Sequence, residues 1–448
     1  MKYFSKIFMF VFALVALYGC EQKMLVGGGT TGGEDDIFMP TDGYIFFNVQ
    51  QPETRGALIE GALPYNFNVI GYNYPNAWNT VRVQAKQSKE VTYTSNGSIQ
   101  RAKMGVFYST AQTSGIQLVA YTGGYHSYQY ADGTKNTEGK YVYGLKPWIA
   151  ELKHAFFAWY PVTRPNENAN GDPIVIQVNG GNNNYEGEPY ITYNLPTGEG
   201  IVARQAMVDV MTACEIDQTK YNVENNGGSI NFQMKHRLAA LDIVATSIIK
   251  AKDLKDTWKK KAEANADKAI KDANGNVIIT LDQINAIADD ATVTVKNISG
   301  LSLSLNSIKT SAKIYLNTMD ATDPLTQTIV SGTHTPTYTG FESSGVTVGY
   351  YNSVDNAMRL MGENEKLILI PQTESITANL AFTYVVSCTS NGVTYEVTNT
   401  PTIAPTVIKG LLEGHYHYLL LTFTASGVYV KAQVEETWEP HNVYYDFE

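Results

Sequence analysis

Histidine, carboxylate, thiol and amide side chains are the groups through which this chain could do chemistry. His415 and His417 in GHYHYLLL stand two residues apart, which on a strand turns both toward one face and suits zinc. Two ligands do not make a zinc site. The stretch DANGNVIITLDQ, residues 272–283, opens as a calcium loop does, with Asp272, Asn274 and Asn276 at its first, third and fifth positions. Its glycine falls at the fourth position instead of the sixth, and Gln283 stands where a bidentate Glu belongs. It reads instead as an Asn-Gly turn that ends a helix. His236, between Met234 and Leu238 on one face of FQMKHRLAALDIV, reads as a core residue. No GxSxG, HExxH, P-loop or CxxC pattern occurs. No catalytic residue, metal ligand or cofactor site is therefore assigned, and the chain reads as a non-enzyme.

The cysteines carry different messages. Cys388 closes LAFTYVVSC in phase with Leu380, Phe382, Tyr384 and Val386, and reads as a buried thiol. Whether it pairs with Cys214 is left open, because sequence does not say which cysteines meet. Cys20 follows a basic start (Lys2, Lys6), the apolar run IFMFVFALVALYG and the small Gly19. That is a secretion signal, residues 1–19, and Leu17-Tyr18-Gly19-Cys20 resembles a bacterial lipobox. Lipidation is expected at Cys20, with acyl chains holding the precursor on a membrane.

The elements that must position these groups are mostly strands. The chain has 448 residues, 44% hydrophobic and 17% charged, enough for a sizeable core and for two or three domains. A formal charge of −10 offers no basic surface for a nucleic-acid backbone. Tyr, Thr, Val and Ile are frequent, and runs such as NFNVIGYNY, IQLVAYTGG, NLAFTYVVS and YHYLLLTF alternate or are bounded by turn residues. No βαβ rhythm appears, so antiparallel β-sandwiches are expected. Residues 20–55 hold a Gly/Thr-rich linker and a first strand, YIFFNV. Residues 56–250 form an N-terminal β-sandwich and 291–448 a C-terminal one. Between them, at 251–290, Leu254, Trp258, Ala262 and Ala266 recur at helical spacing, predicting an amphipathic helix ended by Asn274-Gly275 and a second short helix in LDQINAIADD.

Several of these segments together resemble the fimbrillin-like proteins of the Bacteroidales, the subunits of type V pili. The likeness runs through the lipobox cysteine, a first strand leading to Thr54-Arg55, FFAWYP (156–161), VDVMTA (208–213), INFQMKHRLAALDIVA (230–245), LILIPQ (367–372) and residues 411–438. The helical stretch at 251–290 and the bulky Tyr18 depart from it. The resemblance implies an all-β chain of two tandem transthyretin-like sandwiches. It also implies a lipoprotein precursor carried to the outer membrane surface and cut after an arginine by an arginine-specific protease. The cut removes the first strand, and a strand from another pilus subunit fills the groove, giving an extracellular fimbrium for cell adhesion. The alternative is a fimbrial tip adhesin, or a surface lipoprotein that does not polymerise and binds host or bacterial glycans or proteins.

On this reading two places matter most. The arginines are Arg55, Arg82, Arg101, Arg164, Arg204, Arg237 and Arg359. Arg55 lies in a Pro-broken, Gly-followed segment, the sort of exposed tip where nicking concentrates, so cleavage is expected between Arg55 and Gly56. Arg101, after the SNG turn, is the runner-up. Near the other end Val428, Val430, Ala432 and Val434 alternate with polar residues, and after Pro440 a second alternation, Val443, Tyr445 and Phe447, supplies the expected donor strand.

Overall fold

The computed structural model describes residues 45–50, 66–74, 77–78, 90–95, 98–103, 105–106, 116–121, 128–135, 141–143, 148, 152–161, 190–196, 198, 200–225, 228–319, 328–341, 343, 345–350, 358–362 and 366–435. The chain is mainly β. The principal strands of its first half are β1 (Phe47–Gln50), β2 (Asn66–Tyr74), β3 (Ile116–Tyr121), β4 (Tyr128–Lys135), β5 (Lys153–Tyr160), β6 (Tyr190–Asn194), β7 (Met211–Gln218), β8 (Ile230–Gln233) and β9 (Lys235–His236). All but β6 lie in one sheet, in the order β8-β1-β4-β3-β2-β5-β7-β9. Strands β8 and β9 stand at opposite ends of that order, yet only Met234 separates them in the chain. The sheet must therefore curl until its ends meet.

The curl encloses a small aromatic core of Ile45, Phe47, Val49, Phe67, Val69, Phe156, Ala158, Met211, Ala213, Val223, Ile230, Phe232 and Met234. Alternate residues of the same strands point the other way. Ile70 and Tyr72 of β2, and Ala155, Phe157 and Trp159 of β5, join the larger core shared with the second half. This explains the unbroken apolar run AFFAWY: β5 is buried on both faces, so period-two alternation has nothing polar to show.

The second half adds β10 (Ala239–Ser247), β11 (Thr292–Leu305), β12 (Ser311–Tyr315), β13 (Ile376–Ser390), β14 (Val393–Asn399), β15 (Tyr416–Thr424) and β16 (Gly427–Glu435). One sheet runs β10-β15-β16, with Met358–Arg359 and Leu367–Leu369 on β10. The other runs β11-β13-β14, with Thr337–Tyr338 on β11 and Thr406–Ile408 on β13. The sheets face each other: the Tyr384 and Phe382 rings of β13 lie 4.8 and 6.1 Å from that of Phe423 on β15. Cys388 is buried in phase with Leu380, Phe382, Tyr384 and Val386. Strand β6 pairs antiparallel with β12, so a strand of the first half joins one of the second.

Most pairings are antiparallel. Among the described strands two pairs are parallel, β1 with β8 and β10 with β15. Their partners lie far apart in sequence, so no local crossover announces them. Strand β10 begins at Ala239 and is buried at every position, so the change from the curled sheet to the sandwich falls between β9 and β10.

At 251–290 the helix spans Ala251–Glu263, with Ala251, Leu254, Trp258 and Ala262 buried at the expected spacing. It stops at Glu263, well before Asn274-Gly275. Asn265 donates from Nδ2 to Ala269 O at 2.7 Å, and the chain turns into a hairpin of Ala269–Lys271 with Val277–Thr280. Asn274-Gly275 is the tip of that hairpin, where Gly275 takes φ +86°. The second helix, Leu281–Asn285, carries a capping box between Thr280 and Gln283.

Candidate functional site

Strand β1 is four residues long, yet it lies inside the sheet. It pairs in parallel with β8, Phe47 opposite Ile230 through Gln50 opposite Gln233, and meets β4 at Tyr128. Ile230 N–H donates to Phe46 O at 2.9 Å. Asn48 Nδ2 donates to Asn231 Oδ1 at 3.1 Å, tying the two strands in register through their side chains.

The odd-numbered residues Ile45, Phe47 and Val49 enter the small core, and Phe46 is fully buried as well. The Phe47 ring stacks on Phe232 at 5.5 Å and 8°, and stands edge-on to Phe156 at 5.7 Å and to Phe67 at 6.4 Å. A large side chain so buried contributes about 1.5–3 kcal/mol, with a further increment for the aromatic geometry. Taking away an edge strand trims a sheet. Taking away β1 would open a slot with a hydrogen-bonding edge on each side and aromatic rings at its base.

The residues expected to act on this strand lie outside the described residues: Cys20, Arg55, Gly56, Val443, Tyr445 and Phe447. Of the other arginines, Arg101 lies within the strand Ser98–Lys103, paired with Thr92. Arg204 is buried, donating from Nη2 to Gly340 O at 2.7 Å, with its guanidinium 4.2 Å from the Phe341 ring centre. Arg359 pairs with the buried Asp242 at 3.3 Å, and Tyr416 donates its hydroxyl to the same carboxylate. Arg237 is a buried hub. Its Nε donates to Glu413 Oε1 at 2.6 Å, Nη1 to Thr212 Oγ1 at 3.0 Å and Tyr315 O at 2.9 Å, and Nη2 to Thr328 Oγ1 at 3.3 Å. It binds β7 of the curled sheet to segments of the second half.

The remaining candidates serve the fold. His417 accepts from Leu412 N–H through Nε2 at 3.0 Å. Burial, aided by neighbouring His415, lowers its pKa to about 4 and keeps it a neutral acceptor. His415 precedes β15 and contacts Glu413 O through Nδ1 at 2.7 Å, so the pair does not share a strand face. His236 is buried with Nδ1 2.6 Å from Asp209 Oδ2, a partner the sequence did not reveal. The Asp272 carboxylate accepts from Asn274 N–H, Asn276 N–H and Asn276 Nδ2, which holds the hairpin tip. Cys214 and Cys388 are buried and unbonded to each other. Among the described residues no group of three His, Cys, Asp or Glu could hold a metal.

Phe67 had no local signal of importance, and Asn231 and Arg237 lay inside the family-like segment 230–245 with nothing to mark their roles. Phe156 and Phe232 lay inside two segments that carried the family likeness, but nothing in the sequence said that they meet at β1.

No protein-family profile matches the chain, and no curated protein of comparable sequence does. Solved structures do. A fimbrial protein from Bacteroides vulgatus aligns over 89% of this chain and 100% of its own, with TM-score 0.50 and 17% identity. A protein from Bacteroides uniformis provisionally assigned to cell adhesion aligns over 90% and 100%, with TM-score 0.37 and 14% identity. A fimbrilin from Porphyromonas gingivalis aligns over 88% and 98%, with TM-score 0.30 and 8% identity. The first of these likenesses establishes a shared fold.

Proposed function

We propose that the chain is a structural subunit of a type V fimbria. It is made as a lipoprotein precursor acylated at Cys20 and carried to the outer membrane surface. An arginine-specific protease cuts it between Arg55 and Gly56 and so frees the segment that holds β1. A strand of another subunit, containing Val443, Tyr445 and Phe447, then takes the place of β1. Head-to-tail pairing of this kind does not close on itself, so it builds a filament, the extracellular fimbrium that serves adhesion. On this reading the chain is not an enzyme.

The observation that carries the proposal is the position of β1: a short, early strand inserted inside a sheet, seated on an aromatic core, in a fold shared with a fimbrial protein. The cut form would leave Ile45, Phe46, Phe47 and Val49 unreplaced, at about 1.5–3 kcal/mol for each large side chain, and this drives uptake of a substitute strand. Strand β16 fits the scheme as an edge. It pairs with β15 along its whole length, and Tyr429 and Val434 are exposed.

Deleting residues 439–448 tests the proposal. The truncated protein should reach the surface and be cut, but electron microscopy should find no filaments. Filaments at wild-type abundance would refute the donor role.

A further inference from the structure

The slot's present occupant reads Ile45-Phe46-Phe47-Asn48-Val49-Gln50, and residues 443–448 read Val443-Tyr444-Tyr445-Asp446-Phe447-Glu448. Set side by side without a gap and in the same direction, the two agree at every position. An aliphatic residue meets an aliphatic, aromatic meets aromatic twice, Asp meets its amide counterpart Asn, apolar meets apolar, and Glu meets Gln. Alternation alone asks only that 443, 445 and 447 be apolar. It does not ask for an aromatic residue at 444, where Phe46 is fully buried in β1. Nor does it ask for a short hydrogen-bonding side chain at 446, where Asn48 meets Asn231.

From this agreement we infer that residues 443–448 are a copy of β1 built to enter the slot in β1's own register, parallel to β8, with Asn231 as the residue that sets the register. Asp446 takes the position of Asn48, and the Asn231 amide, which presents Oδ1 to Asn48 Nδ2, turns over to donate from Nδ2 to the carboxylate. Val443, Tyr445 and Phe447 take the positions of Ile45, Phe47 and Val49. Alternation already forbids a slip of one residue, which would turn the apolar set out of the core; a slip of two would keep that set inside but bring Tyr444 or Glu448, and not Asp446, opposite Asn231. The polar pair thus selects one register from those that alternation permits. The inference rests on the exchange reading proposed above and names its ligand.

Paired cysteines test it in the full chain, expressed in cells that cut and assemble it. Asn231→Cys with Asp446→Cys should give, on oxidation, a ladder of covalently joined copies that collapses on reduction. Asn231→Cys with Tyr444→Cys, or with Glu448→Cys, should not. The native cysteines do not interfere, since Cys214 and Cys388 are buried. Asp446→Asn, which restores β1's own residue, should preserve assembly, whereas Asp446→Leu should lower it about tenfold, the worth of one charge-assisted hydrogen bond. Filaments without the 231–446 cross-link, or an equal ladder from the 231–444 or 231–448 pair, would overturn the register and leave strand exchange standing. A closed monomer, cross-linked within one chain, would overturn both, as would the absence of any assembly in the uncross-linked wild type.

Discussion

The two halves of the chain hold their strands by different means. In the sandwich, β11 and β13 are 14 and 15 residues long and pair through most of their length, so neither can leave without dismantling their sheet. In the curled sheet, β1 offers four paired residues and is retained chiefly by side chains sunk in a core of its own. A strand held by its backbone over a great length is fixed. A short strand held by three or four apolar anchors can be replaced by any segment that presents the same anchors. The difference marks the sandwich strands as permanent and β1 as the strand suited to the exchange proposed above.

Phe47→Ala strikes at this contrast hardest. Deleting a fully buried ring that touches Phe67, Phe156 and Phe232 should cost the uncut protein about 3–5 kcal/mol. Hydrogen exchange should report the loss in β1, β4 and β8 while β11 and β13 keep their protection. Equal loosening of both halves would erase the distinction drawn here.

Arg237→Ala tests whether the halves are coupled. The hub donates to Thr212 on β7 and to Tyr315 and Glu413 from the second half, so its removal leaves the buried Thr212 hydroxyl and the half-buried Tyr315 carbonyl without their donor. A loss of about 2–4 kcal/mol is expected, appearing in thermal melts as reduced cooperativity between the halves. A melt superimposable on that of the wild type would mean that the hub couples nothing.

Acid should loosen both halves, since burial lowers His154 of β5 and His417 of β15 alike to about 4, and the variant tells the sandwich's share apart. His417 has its pKa lowered to about 4 by burial, below the 6.5 of an unfolded histidine. Between those values the unfolded chain binds the extra proton, so the stability from the neutral ring is present above pH 6.5 and lost as pH falls toward 4. The sandwich should lose about 3 kcal/mol over that window, and His417→Gln should flatten the dependence. An unchanged acid profile in the variant would show that His417 is not the titrating group.

Much of this was legible in the sequence, and the residues say why. Strand β2 is NFNVIGYNY entire, and the buried phase of β13 was given by Leu380 through Cys388. The final alternation marked β16, but Val434 is half exposed because β16 is an edge and only β15 covers it among the described residues. The helix at 251 showed its apolar stripe and hid its end, because Asn-Gly serves equally as a helix stop and a hairpin tip, and the side chain of Asn265 decides. The parallel joining of β1 to β8 left no trace, since Asn48 and Asn231 are 183 residues apart and neither neighbourhood encodes the other. For the same reason the aromatic seat of β1 was visible only as separate pieces.

The most direct measurement is mass spectrometry of the subunit recovered from surface filaments. The account predicts chains that begin at Gly56 and lack residues 45–50, with the slot filled by residues of a second copy or a related subunit. Filaments made of chains that begin at Cys20 and still contain β1 would contradict it.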